Sequence, residues 1–213
     1  MTAVLTDVCK NACLDSAVAG APGTALWLGL HTAPGQAGAE VAGGSPAYAR
    51  KAITWQSAGA VVQGEKTITA GVTFDVPAGT TVRGVGLWSA STVGTIRSWS
   101  PAGASARRAF NVTAAGFAAD TIDSPAHGLV AGNSVVFWAT VGAVLPTGIA
   151  EDTEYFVIAA GLTTDVFSVS TVLAGSAVNI TAQGDGDVQK FTPEVFAGQG
   201  TYLASTFTVA FPG

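Results

Sequence analysis

Alternating hydrophobic and polar residues dominate the chain after Gly23 and predict short β-strands. The strand predicted over residues 24–31 alternates most clearly, with three leucines on one face and Trp27, Gly29 and His31 on the other. Further strands are predicted over residues 48–55, 72–76, 82–89, 95–99, 134–138, 155–159, 166–170, 177–181 and 206–211. Glycine and proline separate these runs, as in the PAGT turn at residues 77–80. Many short strands with such turns are typical of a β-sandwich or barrel.

The first 20 residues carry a helical pattern instead. Small or apolar residues recur there at helical spacing, and Gly20, Pro22 and Gly23 then end the predicted helix. We expect its apolar stripe to dock on a sheet or a neighbouring subunit, through Leu5, Val8 and Val18. The stripe also includes Cys9 and Cys13, which are expected to be reduced thiols because this spacing on one helix makes a poor disulfide.

Charge divides the chain into two parts. Only 11% of the residues are charged, against roughly 25% in an ordinary domain, and the net charge of −5 offers no basic footprint for nucleic acid. Nearly all lysines and arginines precede residue 109, whereas residues 110–190 are acidic. We therefore predict a mainly β fold. Residues 1–109 and 191–213 are expected to form an antiparallel β-sandwich with an N-terminal helix, and residues 110–190 an inserted small β-barrel-like domain.

A surface so poor in charge is expected to be covered by other subunits, so we predict a homo-oligomer. Trp27 and Trp88 are candidate packing anchors, with a place in the core as the alternative for each. The long, nearly uncharged segment 32–46 is predicted to be a contact loop. Gly84 and Gly86 share one strand face and leave room for a bulky neighbour such as Trp55, or for the backbone of another chain.

Targeting and membrane signals are not evident in the sequence. The charge-free stretches at residues 16–39 and 124–150 are broken by proline and glycine, so neither offers the continuous apolar run of about 20 residues that a spanning helix needs. The N-terminus lacks the positive start of a secretory signal. We therefore expect that the protein does not insert into a membrane. We expect it to be assembled in a cytoplasm.

The histidines and the glycine-rich motifs favour structural roles. His31 and His127 have no second histidine or cysteine at metal-ligand spacing, so they are expected to be a strand-end and a turn residue. The sequence has no G-x-S-x-G elbow and no phosphate-binding loop. Residues 184–187, GDGD, lack the distal glutamate of a calcium loop and predict a tight hairpin turn. We expect no metal and no cofactor.

Carbohydrate chemistry is the remaining enzymatic alternative. Glu151, Asp152 and Glu154 resemble the paired carboxylates of glycoside hydrolysis, but an exposed, solvated turn is favoured. The five tryptophans suggest stacking on sugars, yet all lie in predicted strands, where packing explains them. We expect a protein that is not an enzyme.

Several motifs resemble a family of small bacteriophage virion proteins, described as tail-fibre-like or minor tail proteins. They are LHTAPG at residues 30–35, YARKA at 48–52, PAGT…GVGLW at 77–88 and the closing strand at 196–211. The resemblance covers residues 1–107 and 194–213, and the part between them is similar to a mobile phage β module.

This resemblance implies a non-enzymatic structural protein of the virion, with other virion proteins as partners and a host surface glycan or receptor as a further candidate partner. A capsid decoration or head-fibre protein is the first alternative, and a glycan-binding or glycan-degrading virion protein the second.

Overall fold

The computed structural model describes residues 25–56, 65–140 and 142–210 of the 213-residue chain. The predicted N-terminal helix, with Leu5, Val8, Val18 and both cysteines, lies outside the described residues. Within the described residues the fold is mainly β, as predicted. The strands are β1 (Leu26–His31), β2 (Lys51–Ile53), β3 (Glu65–Thr67), β4 (Val72–Val76), β5 (Thr80–Val82), β6 (Gly84–Trp88), β7 (Ile96–Pro101), β8 (Arg108–Val112), β9 (Ile122–Asp123), β10 (Ser134–Trp138), β11 (Tyr155–Val157), β12 (Val166–Phe167), β13 (Val169–Ser170), β14 (Gly184–Phe191), β15 (Glu194–Phe196), β16 (Gly200–Ala204) and β17 (Thr208–Ala210). A short helix, α1 (Ala114–Ala118), follows β8.

Two compact units make up the chain. Unit 1 comprises the described residues of Met1–His31, Glu40–Ser100 and Val195–Gly213, and unit 2 comprises those of Thr32–Ala39 and Pro101–Glu194. Each unit buries its own hydrophobic core.

Unit 1 is built from a four-stranded antiparallel sheet, in the order β2-β1-β6-β7, and from the strand pairs β15-β5, β16-β4 and β17-β3. Leu26, Leu28 and Leu30 of β1 are at most 4% exposed and pack with Phe74 and Val76 of β4. The predicted leucine face of β1 is therefore confirmed. His31, on the other face, is also fully buried, because that face too is covered at this end of the strand.

Unit 2 is a nearly closed, barrel-like sheet of seven strands, in the order β12-β9-β8-β14-β10-β11-β13. Its terminal strands β12 and β13 are separated in sequence by Ser168 alone. Three aromatic rings pack edge to face in its core, with Phe137 lying 5.1 Å from Phe110 and 5.4 Å from Tyr155. Phe137 of β10 and Tyr155 of β11 therefore point into the interior of the sheet, as alternate residues of a strand do.

The structure corrects two predictions in the last part of unit 2. Residues 184–187 are not a hairpin turn but the first half of β14, where a Cβ on Gly184 would lie 2.3 Å from the backbone nitrogen of Pro146. Glycine permits this close approach of two backbones. Residues 177–181 do not form a strand, although the amide of Val178 donates to the carbonyl of Val169 over 2.8 Å.

The neighbours of the two strand glycines also differ from the prediction. A Cβ on Gly84 would lie 2.5 Å from the indole of Trp99, and one on Gly86 would lie 2.4 Å from Nε2 of His31. Trp55 instead meets Phe207 edge to face at 6.4 Å. A bulky neighbour was therefore expected correctly, but it comes from β7 and β1.

Replacing Gly84 with alanine should destabilise unit 1 by about 1–3 kcal/mol, because the buried Trp99 ring has to move away from the new methyl group. Gly198→Ala is the matched control, since nothing lies within 4 Å of its Cβ position. Urea unfolding followed by tryptophan fluorescence measures both variants. Equal midpoints for Gly84→Ala and Gly198→Ala would contradict the packing described here.

Candidate functional site

The two tryptophans that the sequence singles out lie side by side in unit 1. Trp27 of β1 pairs directly with Trp88 of β6, and both side chains are half-buried. The Trp88 ring also stacks against His31, with ring centroids 5.7 Å apart. Trp88 is therefore part of the internal packing of unit 1 as well as of its surface.

Arg50 and Glu40 form the principal ion pair beside these tryptophans. Nε of Arg50 donates to Oε1 of Glu40 over 2.8 Å, and Nη2 donates to Oε2 over 2.7 Å. The Arg50 side chain is 7% exposed, and its guanidinium lies 3.5 Å above the Trp88 ring. A two-pronged pair of this kind fixes the orientation of both side chains.

Tyr48 completes the hydrogen bonding of Glu40. Its hydroxyl donates to Oε1 of Glu40 over 2.9 Å and accepts from the amide of Leu30 over 2.7 Å. Burial raises the pKa of Tyr48 well above its ordinary value, so the phenol keeps its proton and remains a donor to the carboxylate. The tyrosine thereby links β1 to the segment that carries Glu40.

Arg50 also holds the turn between β6 and β7. Its Nη1 donates to the carbonyl oxygens of Ala90, over 2.9 Å, and Val93, over 2.5 Å. Val93 has a φ of +56° and a side chain that is 87% exposed. A β-branched residue rarely adopts that backbone region, so the bond from Arg50 maintains a strained turn with an apolar tip.

A groove of about 360 Å³ lies between the segment 40–50 and this turn. Small residues contribute much of its lining, including Ala42, Gly43 and Ala49. Its two charged lining residues, Glu40 and Arg50, neutralise each other. The groove is therefore suited to packing against another low-charge surface. The cluster of Glu40, Tyr48 and Arg50 was not predicted from the sequence, although the YARKA motif and the single acid of the preceding loop mark its positions.

The candidate carboxylates lie in unit 2 and form hydrogen bonds there. Glu151 accepts from the amide of Ala139, and Glu154 accepts from the hydroxyl of Ser134, each over 2.8 Å. Glu151 and Asp152 are exposed as expected, but Glu154 is half-buried, so the prediction of a fully exposed cluster was wrong for it. The Ser134 hydroxyl draws Glu154 back toward the sheet.

The part of the chain that the structure describes holds no group of three or more histidine, cysteine, aspartate or glutamate residues arranged to bind a metal ion. None of the helices described there has the length and apolar character needed to cross a membrane.

Comparison with known protein families gives a match over more than half of the chain. Residues 4–138 match the protein family described as Podophage GP4 fiber I protein gp80. The matched span includes the whole Arg50 cluster and continues past residue 107 to the end of β10 in unit 2. No curated protein and no solved structure matches the chain.

Glu40→Gln should destabilise unit 1 by about 3–5 kcal/mol, because it leaves the buried Arg50 without its counter-charge. Glu65→Gln, at a half-buried position on β3, is the control and should change stability by less than about 0.5 kcal/mol. Thermal unfolding followed by circular dichroism measures both. A Glu40→Gln variant as stable as the Glu65→Gln control would contradict the role of the ion pair.

Proposed function

Because the chain belongs to the family of podophage GP4 fiber I protein gp80, and is therefore a structural virion protein of the fibre type, we propose that it is a tail-fibre-like or minor tail protein that packs against other virion proteins. The observation that carries the packing role is the Arg50 cluster, which holds two loops in fixed positions beside a low-charge groove. Preorganised loops lose less conformational entropy on association than flexible ones.

The apolar tip of the turn is the proposed contact point. Val93 is the most exposed of the large hydrophobic residues described in the chain, at 87%. Its strained backbone is held by Arg50 within unit 1, and strained positions persist where the surrounding structure holds them. We place Val93 in contact with a neighbouring virion subunit, together with the outer parts of Trp27 and Trp88. Leu5, Val8 and Val18, which the sequence predicts to lie on a helix, are further candidate contacts in this proposal.

Unit 2 has a different proposed role. Its main segment, Pro101–Glu194, is flanked in sequence by segments of unit 1, which supports the interpretation of unit 2 as an inserted module. That segment carries nine acidic residues against three basic ones. A charged surface is favoured in contact with water, so we propose that unit 2 faces solvent on the particle and is available to the host surface.

Placement on the capsid, as a decoration or head-fibre protein, is the alternative, because subunit packing serves either position. Mass-spectrometric counting of copies in purified particles separates the two. We expect a copy number set by the symmetry of the tail. Hundreds of copies per particle would place the protein on the capsid, and its absence from particles would overturn the proposed function.

Val93→Asn should lower incorporation of the protein into particles while leaving the isolated protein as stable as before, or more stable by about 1 kcal/mol. Asparagine tolerates the positive φ that strains valine, but it removes the apolar contact. Incorporation is measured by immunoblotting particles from a deletion phage complemented with each variant. Val195→Asn, also at an exposed position of unit 1 (72%), is the control. Wild-type incorporation of Val93→Asn would remove Val93 from the interface.

A further inference from the structure

A second cavity, of about 230 Å³, lies within unit 2 at one end of the barrel-like sheet. It is lined where β8 begins and β14 ends, and by the segment after β9 that contains His127 and Leu129. Mouths of barrels are common ligand sites. The volume is below the roughly 300–1,000 Å³ of pockets for drug-sized ligands, so it suits a single small unit.

Two cations occupy inward-facing positions at this mouth. Arg108 pairs directly with Val188 across β8 and β14, and Lys190 follows Val188 by two residues. Side chains two residues apart in a strand share a face, and Val188 belongs to the core of the unit. Arg108 and Lys190 therefore stand on the face that elsewhere carries the hydrophobic interior.

These two cations have no partner in the part of the chain that the structure describes. Neither the Arg108 guanidinium nor the Lys190 ammonium forms an ion pair or a hydrogen bond there. The neighbouring Arg107 differs, because its guanidinium lies 4.0 Å from the centre of the Trp138 ring and near Asp187 and Glu151. In an otherwise acidic unit, two unpaired cations at one cavity are a positive site.

His127 also lines this cavity. Its side chain is buried, and its Nδ1 accepts from the amide of Leu129 over 2.9 Å. The neutral imidazole therefore carries its proton on Nε2. Among the described residues Nε2 has no hydrogen-bond partner, and a buried donor without an acceptor is unfavourable.

We propose that this cavity binds one oxyanion group, a carboxylate or a phosphate, carried by a single acidic sugar unit of a host surface glycan. Arg108 and Lys190 line the cavity and supply both the positive charge and the N–H donors that oxyanions accept. The oxyanion chemistry stands on unit 2 alone, and only the assignment of the ligand to a host glycan rests on the proposed function.

Calorimetric titration of the full chain tests the site with glucuronate, glucose 1-phosphate and inorganic phosphate, and with glucose as the uncharged control. We expect saturable one-to-one binding of at least one acidic sugar, and none of glucose. Arg108→Gln and Lys190→Gln should each weaken that binding about tenfold, the effect of losing one charge-assisted hydrogen bond. Arg97→Gln, which removes an exposed arginine from β7 of unit 1, should bind as the wild type does.

The two sugar ligands distinguish a carboxylate from a phosphate as the natural group. If inorganic phosphate binds but neither acidic sugar does, the site holds an adventitious ion only and the proposal is overturned. The proposal is also overturned if the double variant Arg108→Gln/Lys190→Gln binds an acidic sugar as tightly as the wild type does. The 15N resonance of Nε2 in the wild-type His127 should shift on binding, so this readout needs no variant to fold.

Particle experiments separate failure of this inference from failure of the proposed function. Phage carrying Arg108→Gln and Lys190→Gln should contain the normal number of copies but adsorb to host cells more weakly. Normal adsorption with lost sugar binding would overturn the host assignment alone. Loss of the protein from wild-type particles would overturn the proposed function and leave the oxyanion measurement intact.

Discussion

The ion pair of Glu40 and Arg50 is the constraint on which the loops of unit 1 depend. A buried ion pair adds little net stability, because desolvation of the two charges offsets much of their attraction. Its effect here is on geometry, since Arg50 has donors left for the carbonyls of Ala90 and Val93 and lies on the Trp88 ring. In a chain with so few charges, this pair orients loops that their own small residues would leave free.

Unit 2 uses its few cations in another way. Arg107 is accommodated by an aromatic ring and nearby carboxylates, whereas Arg108 and Lys190 face a cavity. The pairing of β8 with β14 brings these two positions together. The two units thus divide the properties of a fibre-family protein, with fixed low-charge loops in one and a small positive site on an acidic background in the other. The first property suits assembly, and the second suits recognition of an anion.

Much of the fold was predictable where alternation alone decides which residues are buried. The leucine face of β1 and the strand β4 follow from a period of two, because successive side chains in a strand point to opposite faces. Glycine-rich segments were less predictable. The pattern at residues 184–187 is equally compatible with a turn and with a strand, and only the pairing with β8 decides for the strand. Helix α1 has too few residues for a helical period to be visible.

The sequence by itself determined the mainly β class, the low charge and the motifs that place the chain in a phage fibre family, since composition and local patterns carry these properties. The tertiary structure alone decided the sites. Glu40 and Arg50 meet because their loop folds back beside β1. Arg108 and Lys190 line one cavity because β8 pairs with β14, a strand distant in sequence. Whether a charged side chain has a partner depends on which distant segments the fold brings beside it. The local sequence pattern carries no information about those segments.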